Sequence, residues 1–179
     1  MMTDSGNQIS NGAVDFYDVY KAMVDTALAR PAKGAVTAYS LRCGNKLRFY
    51  VRVTNHSGTS LSYSSNNATV HAIVWEDAHV ADTNRYVRAT VSANFTSSVA
   101  DGANASFVLE TPELTGIDWD KLHAAVLADY RPGGLTGAFD TLQAALAPRA
   151  SPARLDFDAD GMQDIAVRRP ESGVWYLLP

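Results

Sequence analysis

Between Lys46 and Asn55 apolar and polar side chains alternate, with Leu47, Phe49, Val51 and Val53 on one face and Lys46, Arg48, Tyr50 and Arg52 on the other. A period of two is the signature of a half-buried strand. Similar segments follow at Ala68–Asp77, Arg85–Phe95, Ala105–Glu110 and Leu122–Tyr130, and Val36–Leu41 supplies a first strand ahead of them. Turns rich in Asn, Ser and Gly separate them, such as His56–Gly58 and Asp101–Asn104. Gly137–Ala147 fits a short helix or an edge strand, and the strand is preferred. This spacing predicts a mainly β chain built around an antiparallel β-sandwich, Ig-like in kind, over 35–147.

Ahead of the sandwich the period changes. Phe16, Val19, Tyr20, Met23, Val24, Ala27 and Leu28 recur at steps of three and four, which predicts an amphipathic helix over Asp15–Ala29. Asp15 stands where a cap belongs, and Arg30 followed by Pro31 ends the pattern. Its apolar stripe needs a partner, either the sandwich or a unit upstream. On the far side, the small, Pro-containing run Ala147–Ala153 reads as a boundary, with a linker over 148–153. The remaining unit, 154–179, reads as an Asp-rich loop, a strand Ile165–Arg169, a turn at Pro170–Gly173 and a strand Val174–Leu178. The lead and helix occupy 1–34.

Composition removes several function classes. With 46% hydrophobic and 19% charged residues the chain is an ordinary globular one. It has no apolar run long enough for a membrane span. The net charge is −4 and the Lys and Arg residues are scattered, so nucleic acid is not an expected partner. A single cysteine, Cys43, permits neither an internal disulfide, a CxxC pair nor a thiolate zinc cluster. The N-terminal MMTDSGNQIS lacks the basic and apolar regions of a signal peptide.

One motif carries chemistry. The run D-F-D-A-D-G-M-Q-D puts carboxylates at loop positions one, three, five and nine (Asp156, Asp158, Asp160, Asp164), with Gly161 at six. Alternate spacing lets a curled loop aim its oxygens at one centre, and Met162 at position seven would add its carbonyl. A hard oxygen set suits Ca²⁺ rather than zinc or copper. Removing these four aspartates from 19 acidic residues leaves 15 against 15 basic, so the loop accounts for the whole net charge. Carboxylates packed so closely repel unless a cation lies among them. Position twelve is Val167, not the bidentate Glu of an EF-hand.

DFDADGMQDIAVRRPESGVWYLLP instead resembles the FG-GAP/VCBS repeat, an Asp-rich calcium loop followed by an IAV-RP strand and a G-WY-L strand, with Ala159 where that repeat usually has glycine. The resemblance implies Ca²⁺ ligands at Asp156, Asp158, Asp160, Met162 (carbonyl) and Asp164. NNATVHAIVWED and GIDWDKLHAAVLADY are similar to the sandwich of a bacterial family of outer-membrane or lipid-anchored proteins, in which it follows a thioredoxin-like domain. By the same resemblance DFYDVYKAMVDTALARP corresponds to the last helix of that domain. An extracellular or cell-envelope location is implied. Asp-rich loops in extracellular modules bind calcium at about 10⁻⁴–10⁻³ M, too weakly for resting cytosol.

Other polar groupings read as structure. On a strand His71 and Glu76 point to opposite faces, so His71, Glu76, Asp77 and His79 do not form one site. Asp118, Trp119, Asp120 and His123 read as a turn with a Trp anchor, and no G-x-S-x-G elbow is present. Asn55, Asn67, Asn94 and Asn104 begin N-x-S/T sequons, expected by chance in such loops. The expectation is therefore not an enzyme but an extracellular or envelope structural or adhesion module with a calcium loop. Its partners would be other protein modules or cell-surface glycans, and the N-terminal helix offers a surface for association. Two alternatives stand beside it. One is an accessory part of a thioredoxin-like envelope protein; the other is a carbohydrate- or peptide-binding sandwich using Tyr50, Tyr63 and Trp75.

Overall fold

The alternation of Lys46–Asn55 is realised as the middle strand of a sheet, with Phe49 and Val53 wholly buried on its inner face. The computed structural model describes residues 16–79 and 84–150 in full, together with the backbone of four short strands outside them. In chain order the elements are β1 (Met2–Thr3), β2 (Gln8–Ile9), α1 (Phe16–Leu28), β3 (Gly34–Cys43), β4 (Lys46–Asn55), α2 (Tyr63–Asn66), β5 (Thr69–Glu76), β6 (Tyr86–Asn94), β7 (Asn104–Glu110), β8 (Leu122–Tyr130), β9 (Asp140–Leu146), β10 (Ile165–Arg168) and β11 (Trp175–Leu178).

Seven of these strands make the predicted sandwich. One antiparallel sheet has the order β3-β4-β7, the other β6-β5-β8-β9. Counted from β3, the first, second and fifth strands form one layer, and the fourth, third, sixth and seventh form the other. That is the immunoglobulin constant-type arrangement with its fourth strand moved to the opposite sheet. Between the layers Leu47, Phe49, Val51 and Val53 face Val70, Ala72, Val74, Val126 and Ala128, with Phe95, Leu61 and Tyr130 closing the ends. Each fully buried apolar side chain of this kind contributes about 1.5–3 kcal/mol.

The segment Gly137–Ala147 forms an edge strand over Asp140–Leu146, with Asp140 and Leu142 turned inward. It also stitches the two layers together. Lys33 N–H donates to Leu142 O (3.2 Å) at one end of β3, Ser40 N–H to Pro148 O (3.0 Å) further along, and Ala150 N–H to Ser40 O (2.8 Å). The Ser40–Arg149 bridge is parallel. The first residues of the predicted linker, Pro148–Ala150, are therefore bonded to β3.

The helix covers Phe16–Leu28, and the predicted cap Asp15 lies outside the described residues. Of its apolar stripe only Met23 is buried; Tyr20 and Ala27 are half-buried, and Phe16, Val19, Val24 and Leu28 are exposed, Leu28 at 78%. What anchors the following segment is charge. Asp140, 2% exposed, accepts from Arg30 Nη2 at 2.7 Å and from Lys33 Nζ. The hydrogen bond to Asp140 holds the Lys33 ammonium above its usual pKa of 10.5. At the chain ends, β1 pairs with β2 in a segment that the sequence marked only as a polar lead. β10 pairs antiparallel with β11, from Ile165 opposite Leu178 to Arg168 opposite Trp175. The loop Asp156–Asp164 itself lies outside the described residues.

Candidate binding cleft

Antiparallel pairing puts directly opposed residues on one face, and the register of β6, β5 and β8 therefore fixes the outer surface of the four-stranded sheet. Asn94, Thr69 and Asp129 form one row across it, and Ser92, His71 and Leu127 the next. His71 is thus on the outer face while Glu76 is buried, as period two requires. His71 Nδ1 lies 2.7 Å from Ser92 Oγ and His71 Nε2 3.3 Å from Asp129 Oδ1.

His71 thus links Ser92 and Asp129 into a Ser–His–Asp chain on the outer face of the sheet. Ser92 stands within a regular strand, where successive N–H groups point to alternate sides in the plane of the sheet. Two of them cannot converge on an oxyanion above the face, and acyl transfer usually draws more of its acceleration from that stabilisation than from any other source. The chain instead fixes the His71 ring and one oxygen of Asp129.

Beside this pair the surface deepens into a cleft of about 450 Å³ lined by Tyr63, Asn67, Thr69, His71, Asn94, Asp129, Arg131 and Phe139. Its wall is the one-turn helix α2. Ser62 caps it by accepting from Ser65 N–H (3.2 Å), and Ser62 N–H donates to Asn66 Oδ1 (3.0 Å). Asn67 ends it in the left-handed region at φ 51°, a conformation that Asn tolerates better than other residues with a Cβ. Arg131 N–H donates to Asn66 O (2.7 Å), and Tyr63 N–H to Phe95 O (2.9 Å), so the wall is bonded to the sheet. Tyr63 remains 45% exposed. The Arg131 guanidinium sits 4.4 Å from the Phe139 ring centre and donates through Nη1 to Leu135 O (2.7 Å). Among the described residues its Nε is the buried side-chain polar atom without a partner.

The other groupings separate. Glu76 accepts from Arg88 Nε (2.6 Å) and from Asp118 N–H (2.8 Å), and the latter bond does most to hold its carboxyl below 4.5. Asp77 lies 3.0 Å from His123 Nε2, and His79 Nδ1 lies 2.9 Å from Asn84 Oδ1. Trp119 packs against the core beneath the Arg42 guanidinium (4.0 Å). Tyr50 stacks on Tyr39 (5.0 Å) and Trp75 on His123 (5.7 Å), so only Tyr63 of the three predicted binding aromatics lines this cleft. Cys43 is exposed. The predicted ligands Asp156, Asp158, Asp160, Met162 and Asp164 fall outside the described residues. Among the described residues no three His, Cys, Asp or Glu side chains are grouped as metal ligands, and no helix is long and apolar enough to cross a membrane.

No protein-family model and no curated protein matches the chain. Solved structures that it resembles include the sporulation control protein Spo0M of Bacillus subtilis, at 13% identity and a TM-score of 0.39, over 68% of this chain and 51% of that one. Another is a structural-genomics target, SoR45, at 9% identity and a TM-score of 0.36, over 68% of this chain and 88% of that one. The chain thus spans about half the length of Spo0M.

Proposed function

We propose that the chain is a non-catalytic recognition module of the cell exterior or envelope: a β-sandwich that contacts its partner through one sheet face and carries a calcium-binding loop at Asp156–Asp164. The observation behind this reading is the cleft. Its wall is fixed by backbone bonds before any ligand arrives, and it combines an exposed aromatic ring with a few convergent polar groups, the usual make-up of a binding site. The serine that could act as a nucleophile lacks an oxyanion site, which supports recognition over catalysis. The calcium part rests on the loop's spacing and on its four carboxylates, equal in number to the chain's net charge of −4.

The exposed stripe of α1 favours a second reading, in which this helix belongs to a thioredoxin-like unit and the sandwich is its accessory domain. Sedimentation of the purified chain with isolated bacterial envelopes, with Ca²⁺ and with chelator, tests the first reading. Saturable sedimentation supports it. A chain that stays in the supernatant under both conditions, and in the cytosolic fraction of its native cells, is not an envelope module.

A further inference from the structure

We infer that the cleft between α2 and the outer face of β5 and β8 binds a neutral hexopyranose unit of a glycan, with Tyr63 as its stacking platform. This rests on the reading of the chain as a recognition module and assigns the ligand of that same cleft.

The donor and acceptor inventory carries the argument. Asp129 only accepts, Arg131 only donates, and Asn67 and Asn94 do both. A ligand that answers all four must itself donate and accept from neighbouring atoms, which is what a ring of hydroxyls does. Net charge points the same way: an anion meets Asp129 and a cation meets Arg131, both lining the same 450 Å³. A neutral polyol avoids either repulsion.

Stacking supplies the apolar half. A pyranose has one face of C–H groups, and the half-exposed Tyr63 ring at the rim offers a flat surface for it. Two of the protein groups are already held, because Asp129 is bonded to His71 and the Arg131 guanidinium lies against Phe139. These two lose little side-chain freedom on binding.

A peptide is the other ligand with both donors and acceptors. Peptides gain affinity on sheets mainly by adding a strand to a free edge. The cleft lies instead mainly over β5 and β8, each paired on both sides, and of the edge strand β6 only its last residue, Asn94, lines it.

The test is an amide NMR titration of the full chain with methyl glycosides of glucose, galactose, mannose and N-acetylglucosamine. At least one glycoside should give saturable shifts at Tyr63, Asn67, Asn94, Asp129 and Arg131. Tyr63→Ala and, independently, the exposed-site variant Asn94→Ala should each weaken binding at least tenfold while leaving shifts across β3, β4 and β7 unchanged. No response to any glycoside at the highest soluble concentration overturns the assignment, as does a response in the same residues to a peptide digest alone. Envelope sedimentation separates the two levels. If envelopes retain wild type and both variants equally, the module reading stands and the sugar cleft falls. If they retain none, the module reading falls as well.

Discussion

Replacing Asp140 by alanine should destabilise the sandwich by about 3 kcal/mol. Its carboxylate is almost wholly enclosed and accepts from two cations, Arg30 at 2.7 Å and Lys33. Hydrogen bonds to charged partners contribute about 1.5–3 kcal/mol each, which sets an upper range near 6. Both cations keep about a third of their side chains in solvent (33% and 31%) and rehydrate when the carboxylate is removed, so roughly half of that survives. For a sandwich spanning 35–147, about 3 kcal/mol lowers Tm by roughly 10–15 °C. Asp140→Asn, which keeps the shape, should lose about half as much. The assay is thermal unfolding followed by near-ultraviolet circular dichroism, with Lys33→Met as a companion. Because Lys33 titrates above 10.5 in the folded protein, its contribution is fully present below 10.5 and disappears as pH rises through the folded value. The wild-type advantage over Lys33→Met should hold through neutrality and close at strongly alkaline pH. Asp140→Ala melting within 1 °C of wild type would refute the view that this buried carboxylate clamps the helix exit to the sandwich.

Glu76 should show the opposite pH dependence: held below 4.5 chiefly by the Asp118 N–H and then by Arg88, it stabilises above 4.5 and stops doing so as acid protonates it. Wild type should outlast Glu76→Gln at pH 7 and lose that lead well below pH 4.5, as chemical denaturation at a series of pH values will reveal. Calcium at ten times Kd should stabilise the C-terminal unit by about 1.4 kcal/mol, and Asp160→Ala should abolish the calorimetric binding heat while Glu171→Ala keeps it; absence of saturable heat in the parent up to several times the millimolar range expected for such loops counts against the site. Amide exchange over Phe16–Leu28 should be much faster than over Lys46–Asn55, since the helix buries only Met23; equal protection would make α1 part of the sandwich core.

The strands were legible because one buried face forces period two. Lys46–Asn55 matches its predicted bounds, and Ala68–Asp77 is realised as Thr69–Glu76. The candidate cleft was legible only through Tyr63. Its other members come from α2, three strands and the loop before β9, residues distant in sequence that only strand register brings together. The one-turn helix α2 depends on a Ser62 cap, an Asn67 in the left-handed region and a bond from Arg131 N–H, and of these only the Ser/Asn-rich composition is local. Asp140 gave no signal, because its partners lie more than a hundred residues earlier. Asn55 agrees with the reading of its sequon as chance. It is wholly buried, donating to Thr59 O and Val99 O and accepting from Ser57.

The seam between β3 and β9 has a mechanical meaning. The chain enters the sandwich at Gly34, where β3 begins, and leaves it past Ala150, beside Ser40 on the same strand. Because β3 and the departing segment run in the same direction, tension applied to the two ends pulls them along each other's length in opposite senses. The Lys33–Leu142 and Ser40 bonds and the Asp140 ion pairs then resist sliding together rather than parting one by one. The remaining five strands lie outside this path and bear little of the strain. A sandwich threaded in this way transmits a pull between its two ends without first unzipping.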